Sequence, residues 1–379
     1  MPLYTRAFWT ACAVHFTGAM SLSLYVLIPL FVRALGGSDA IVGVALGTGA
    51  VASVVTRPYV GTLLDRLGVR PVLVGAGVLN FVSWFPFLGV ERVGAWLFVW
   101  VVVHSVAWGT LFATYFTYAA DLAPPARRAE GIAVFGVFGI AANGLAPALG
   151  EQVIARFGFP AFFLTAAAFA MVSVAITLGV RPVRHVVHAT APGLRAAVGV
   201  AAAPGLPLVL STTVILGVAI NAAWYFVAPF TRDVGIARTA PFFLAYSATS
   251  VVIRLFGRRS LDGWGPHRVS TPAFVVFGVG LLGLVLLPAP GVLVASGVAC
   301  GIGHGTLFPV LSALAVARAP AGRQGSVVSL HTAALDLGAV VGTPVCGAVA
   351  DALGWRPMFA LMAAACLGGV ALMARDARA

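Results

Sequence analysis

Asp336 is the only acidic residue deep in any apolar stretch of this chain, within Thr332-Ala333-Ala334-Leu335-Asp336-Leu337-Gly338. A charged carboxylate surrounded by hydrocarbon is costly, so a residue so placed is a natural proton acceptor. His331 stands five residues earlier and titrates near neutral pH. Five residues is about 140° of helical rotation, so the two do not share a face. Two roles stay open on these residues alone. Asp336 and His331 form a proton-coupling site, or Asp336 is a structural carboxylate satisfied by Arg57, Arg254 or backbone.

A second group is charged and glycine-bearing: Arg57-Pro58-Tyr59-Val60-Gly61-Thr62-Leu63-Leu64-Asp65-Arg66-Leu67-Gly68-Val69-Arg70. Eight residues turn a helix through about 800°, leaving Arg57 and Asp65 on roughly one face. Arg254, Asp262 and Gly265 repeat the spacing of Arg57, Asp65 and Gly68 at a shift of 197 residues. The chemistry on offer is charge pairing at helix ends. A third group joins imidazoles to aromatic and amide side chains: His15, His104, Trp108, Tyr115, Asn221, Trp224, Tyr225 and His304. His104 and Trp108 are four residues apart and share a helical face. Metal binding would want grouped ligands. Here only Cys12 and His15 are close in sequence and the methionines are scattered, so no metal site is expected.

The elements that carry these residues follow from composition. The chain is 60% apolar and 9% charged, with a mean hydropathy of +1.02, whereas a soluble domain is roughly 25% charged. Apolar runs of about 20 residues recur, continuous rather than alternating, which selects membrane helices over a barrel. Twelve spans are expected: 7–32, 39–63, 71–90, 93–121, 129–155, 159–180, 207–231, 239–260, 269–288, 291–317, 325–350 and 355–374. Residues 1–6 read as a short tail without a cleavable leader pattern. Cys12, Cys300, Cys346 and Cys366 fall inside spans without paired spacing and read as small buried hydrophobes.

All 23 basic residues are Arg, and the net charge is +12. A nucleic-acid partner would suit that charge, but its placement does not. Fifteen Arg fall on the side that holds both termini, and six on the other, where five acids nearly balance them. The bias assigns the Arg-rich side to the cytoplasm. Residues 181–206 form a cytoplasmic linker between the bundles 1–180 and 207–379. Those bundles are repeats. Gly109-Thr110-Leu111-Phe112 matches Gly305-Thr306-Leu307-Phe308 at a shift of 196, as do Ala123-Pro124 and Ala319-Pro320, Arg127 and Arg323, and Gly158 and Gly354. Trp108 and His304 occupy equivalent positions. Parallel six-helix repeats of this kind are a transporter architecture.

Gly61-x-Leu63-x-Asp65-Arg66-x-Gly68-x-Arg70 resembles the loop between the second and third helices of the major facilitator superfamily, with a weaker second copy around Asp262. The resemblance implies an all-α fold of twelve transmembrane helices in two pseudo-symmetric six-helix bundles. It implies a cytoplasmic gate built from Arg57, Gly61, Asp65, Arg66, Gly68, Arg70, Arg254 and Asp262. It also implies a central cavity lined by spans one, four, seven and ten, where His15, His104, Trp108, Tyr115, Asn221, Trp224, Tyr225 and His304 would meet substrate. No Arg lies deep in those four spans, which argues against phosphate or nitrate as substrate. Gly301-x-Gly303-x-Gly305-x-x-Phe308-Pro309 followed by Asp336-Leu337-Gly338 resembles bacterial efflux-like permeases.

The expected function is therefore proton-coupled efflux of a small organic or amphipathic solute by a monomer in the bacterial inner membrane. Lipid, solute and protons are its partners, with no cofactor and no enzymatic activity. Proton symport, facilitated diffusion, and a non-transporting receptor or scaffold are the alternatives.

Overall fold

The structure, a computed structural model, describes residues 3–124, 127–179, 199–256, 265–289, 291–321 and 323–378. Asp262 and most of the expected linker lie outside the described residues. Helices dominate: α1 (Arg6–Leu24), α2 (Ile28–Ala34), α3 (Asp39–Leu67), α4 (Val69–Ser83), α5 (Ala95–Leu122) and α6 (Arg128–Leu178). Then come α7 (Leu206–Tyr225), α8 (Val227–Asp233), α9 (Ala240–Phe256), α10 (Pro266–Leu284), α11 (Val292–Ala317), α12 (Gln324–Leu353) and α13 (Trp355–Asp376).

Among the described residues ten helical stretches are long and apolar enough to cross a membrane. The expected twelve differ from these ten for local reasons. Span one is α1 and α2 joined through a 3-10 turn at Tyr25–Leu27. α6 holds two expected spans, because Gly158 turns the chain at φ 77° and ψ −177°. That region is open to glycine and strained for other residues. Gly354 takes φ 89° and ψ 175° at the equivalent place between α12 and α13. Ala240–Phe256 is apolar but shorter than the rest.

The chain forms two compact units, Met1–Ile28 with Ala52–Ala191, and Pro29–Val51 with Pro192–Ala379. In unit 1, α1 packs on α6 and α4 on α5, around fully buried Phe8, Trp84, Phe135, Phe162 and Phe163. In unit 2, α7 packs on α12, and α11 on both α9 and α10. Lipid is as apolar as these side chains, so helix pairing depends on close approach at small residues. Gly217 and Gly338 face each other's helices so tightly that a Cβ on Gly338 would sit 2.7 Å from the Gly217 Cα. Gly297 and Gly301 of α11 take the same role against Phe242 and Tyr246 of α9.

The repeat is legible as geometry inside each unit. Gly109 of α5 abuts Ser53 of α3, and Gly305 of α11 abuts Ser250 of α9. The Arg57 guanidinium lies 5.9 Å from the Phe112 ring centroid, and that of Arg254 lies 5.3 Å from the Phe308 centroid. The first and seventh expected spans also break before a proline. Pro29 and Pro229 lack the N–H that would bond the carbonyls of Tyr25 and Tyr225. The helix from Arg6 therefore passes through 3-10 geometry, and α7 ends at Tyr225 with Phe226 at φ −109°.

Candidate functional site

In unit 2 the seam between α7 and α12 brings the candidate acid and histidine into the packed interior. Asp336 is 8% exposed and His331 1%. Tyr225, at the broken end of α7, lies within electrostatic reach of the Asp336 carboxylate. His331 Nδ1 is 3.1 Å from the Thr213 Oγ1. The Thr213 hydroxyl hydrogen already goes to the Val209 carbonyl at 2.8 Å, so the imidazole must be the donor in its own bond. That assigns the hydrogen of neutral His331 to Nδ1 and leaves Nε2 a bare acceptor. His331 Nε2 is buried and has no hydrogen-bond partner.

Beside the seam runs a chain of polar aromatic groups. Trp224 lies edge-on to Tyr246 with ring centroids 6.3 Å apart, and the Tyr246 phenol lies 2.7 Å from His304 Nδ1. The hydrogen of that bond belongs to the phenol or to the imidazole according to the histidine tautomer. Phe308 stands one helical turn below His304, with ring centroids 6.1 Å apart. The same Phe308 ring meets His331 at 5.5 Å and the Arg254 guanidinium at 5.3 Å. Thus His304, Arg254 and His331, expected as solute, gate and proton residues, meet around one ring, and Trp224 lies edge-on to His304 at 6.2 Å. Asn221 donates from Nδ2 to the Gly217 carbonyl at 2.7 Å, tying its amide to its own helix.

Unit 1 treats its candidates differently. His104 is 1% exposed and sits 3.0 Å from Ser83 Oγ. It stacks on Tyr25 at 4.3 Å and lies edge-on to Trp84 at 4.7 Å. Trp108 stacks instead on Phe112 at 5.2 Å. His104 and Trp108 stand four residues apart on the one helix α5, and their rings stack on these other partners. His15 donates from Nδ1 to the Phe135 carbonyl at 3.1 Å. Its ring stacks on Phe135 at 4.2 Å and 8°, with Tyr115 at 4.9 Å. In this unit the histidines hold helices together.

The motif around Asp65 closes α3 and opens α4. Gly61 and Asp65 are half-buried and Arg66 is exposed, and Gly68 turns the chain at φ 80°. Arg70 donates from Nη2 to the Leu178 carbonyl at 2.6 Å, capping the C-terminal end of α6. In unit 2 His267, its counterpart in the repeat, holds the end of α13 through Asp376 at 2.8 Å. Arg318 grips the same carboxylate with two bonds of 2.6 Å and reaches the Gly205 carbonyl at 2.8 Å. Within unit 1, Tyr4 donates its phenolic hydrogen to Glu130 at 2.8 Å. That bond to a carboxylate raises the phenol's pKa.

Sequence reasoning missed an ion cluster at the opposite helix ends of unit 2. Arg33 of α2 reaches Asp233 of α8 at 2.8 and 3.0 Å and Asp39 at 3.6 Å. Trp355 Nε1 donates to Asp233 at 2.7 Å. Both oxygens of Asp351 accept backbone N–H groups, from Asp39 and Ala40, at 2.9 Å each. The signal was present in the balance of six Arg against five acids on that side. A balanced face suggests pairing, where an excess suggests topology.

Comparison with known proteins agrees in kind. The sequence family described as the Major Facilitator Superfamily matches residues 9–290 and 209–378. An uncharacterised transporter of that type from Salmonella typhimurium is 24% identical over 387 residues, covering 98% of both chains. One from Burkholderia mallei is 34% identical over 119 residues, covering 31% of this chain and 29% of its own. Among solved structures, the nucleoside transporter NupG superposes with a TM-score of 0.80 at 13% identity. It covers 99% of this chain and 100% of its own. A point mutant of the peptide transporter POT gives 0.81 at 14%, over 98% and 94%. The human organic anion transporter MFSD10 gives 0.73 at 16%, over 98% and 100%.

Proposed function

The chain belongs to the Major Facilitator Superfamily of membrane transporters, and from that premise we propose that it is a proton-coupled secondary transporter exporting a small organic or amphipathic solute. It works by alternating access, as a monomer in the bacterial inner membrane with both termini in the cytoplasm. One observation carries the coupling. Asp336 is a buried carboxylate within reach of Tyr225, on the same helix as His331, whose Nε2 is a bare acceptor. Two proton-accepting groups on one span, next to residues that can hydrogen-bond and stack on a solute, let protonation bear on solute binding. The cytoplasmic gate around Arg57, Gly61, Asp65, Arg66, Gly68, Arg70 and Arg254, with Asp262 outside the described residues, belongs to the same proposal.

The aromatic wall of Trp224, Tyr246 and Phe308 supports an organic solute over a small inorganic ion. The nucleoside, peptide and organic anion transporters among the structural neighbours share the fold and differ in solute, so they leave the class open. The test is reconstitution into vesicles with an imposed pH gradient, screening compounds for coupled proton flux. Flux should appear in wild type and vanish in Asp336→Asn. Equal rate and equal pH dependence in Asp336→Asn would refute coupling through this carboxylate. Solute-driven flux with no proton movement in wild type would favour facilitated diffusion instead.

A further inference from the structure

Arg254 is a cation in the last turn of an apolar helix. Its guanidinium lies over Phe308, its Nε is buried without a hydrogen-bond partner, and among the described residues no carboxylate pairs with it. A guanidinium with spare donors in a span is costly unless something anionic meets it. Across the same Phe308 ring, His331 offers a bare acceptor at Nε2, itself 1% exposed and unpartnered. Two unsatisfied groups of opposite need, an anion-seeking donor and a hydrogen-seeking acceptor, thus stand against one aromatic ring. The surrounding side chains at Trp224, His304 and Phe308 are half-buried.

We propose that this niche binds an organic monocarboxylate built on an aromatic ring that also carries a hydrogen-bond donor. The carboxylate meets the Arg254 guanidinium, the donor meets His331 Nε2, and the ring lies against Phe308 and Trp224. The inference rests on the transporter reading in taking this niche as the solute site. A single Arg suits a monoanion, whereas phosphate would call for several converging donors. Because Arg254 and His331 approach the same ring, a ligand the size of one substituted ring meets both.

The test uses the purified full chain in detergent and three matched probes: 4-hydroxybenzoate, neutral 4-hydroxybenzamide and cationic tyramine, each against sodium chloride at equal ionic strength. Thermal protection is titrated for each. The acid should bind about tenfold or more tightly than the amide, the worth of one charge-assisted hydrogen bond, and tyramine should not protect. Arg254→Gln should abolish the preference for acid over amide, Arg254→Lys should keep most of it, and Phe308→Leu should weaken acid and amide together. Should Arg254→Gln not fold, the wild-type ranking and Arg254→Lys still decide. Equal binding of acid and amide, no protection by either at millimolar concentration, or a preserved preference in Arg254→Gln overturns the proposal. Proton-driven flux of neutral or cationic compounds without acid preference would sink this inference and leave the transporter reading standing. Arg254-dependent acid binding without any flux would do the reverse.

Discussion

The Tyr246 phenol and His304 Nδ1 share a hydrogen bond of 2.7 Å. The bond ties α9 to α11 and holds the imidazole in one orientation, with the Trp224 ring edge-on to it at 6.2 Å. A site that must distinguish solutes gains from side chains whose orientation is fixed before the solute arrives. Tyr246→Phe keeps the ring and removes the link. It leaves His304 Nδ1 without its partner, a loss of about 1–3 kcal/mol. Solute affinity should fall about fivefold to a hundredfold in binding titrations, with little change in expression. An unchanged affinity would show that the chain serves packing alone.

The ion cluster of unit 2 makes a different prediction. Asp351 is a side-chain cap for α3, taking the N–H groups of Asp39 and Ala40. Removing such a cap costs about 0.5–2 kcal/mol. Asp351→Ala should therefore raise hydrogen exchange at the amides of residues 39 and 40 by about tenfold. Arg33→Gln should act more weakly, because Arg33 and Asp233 are 30% and 36% exposed at their side chains and such pairs contribute about 1 kcal/mol or less. Equal protection in wild type and Asp351→Ala would remove the capping role.

Much of the architecture was readable in the chain because membrane helices advertise themselves by length and apolarity. The repeat was readable because its constant shift survives in Gly109 and Gly305, and the structure gives both glycines a serine neighbour. Which histidines would be structural was not readable. His15, His104, His304 and His331 look alike in sequence, and their fates depend on neighbours far away in the chain. Phe135, 120 residues from His15, turns it into a packing element. Thr213, 118 residues from His331, sets its tautomer. The spacing of Arg254 to Asp262 repeats that of Arg57 to Asp65, and on spacing alone it reads as a gate. Only the packing of α9 on α11 puts Arg254 over Phe308 of the tenth expected span. Sequence periodicity reports faces, and the partner on each face comes from the fold.

Asp376 offers a test of stability apart from transport. Its side chain is 1% exposed and receives Arg318 and His267. Breaking a buried pair by removing one member costs about 3–5 kcal/mol, since the other charge is left behind. Asp376→Ala should lower the melting temperature in detergent clearly. His267→Gln, which leaves the two Arg318 bonds in place, should lower it far less. Similar losses from both would mean that His267, not Arg318, is the main anchor of the α13 end.

Gly338 links packing to the proposed coupling. A Cβ there would press on the Gly217 Cα and the Val218 backbone N of α7, both at 2.7 Å, and backbone cannot rotate away as a side chain can. Forcing a methyl group into such a contact costs about 1–3 kcal/mol, and a branched residue more. Gly338→Ala should therefore widen the α7–α12 seam slightly, and Gly338→Val should widen it further or prevent folding. Asp336 lies two residues away on the same helix, and Tyr225 is held on the facing one. Widening the seam moves the carboxylate from the phenol it now influences. Gly338→Ala should then show a lowered melting temperature together with a changed pH profile of proton flux in vesicles. A lowered melting temperature with the wild-type pH profile would separate the seam from coupling and confine Gly338 to helix packing.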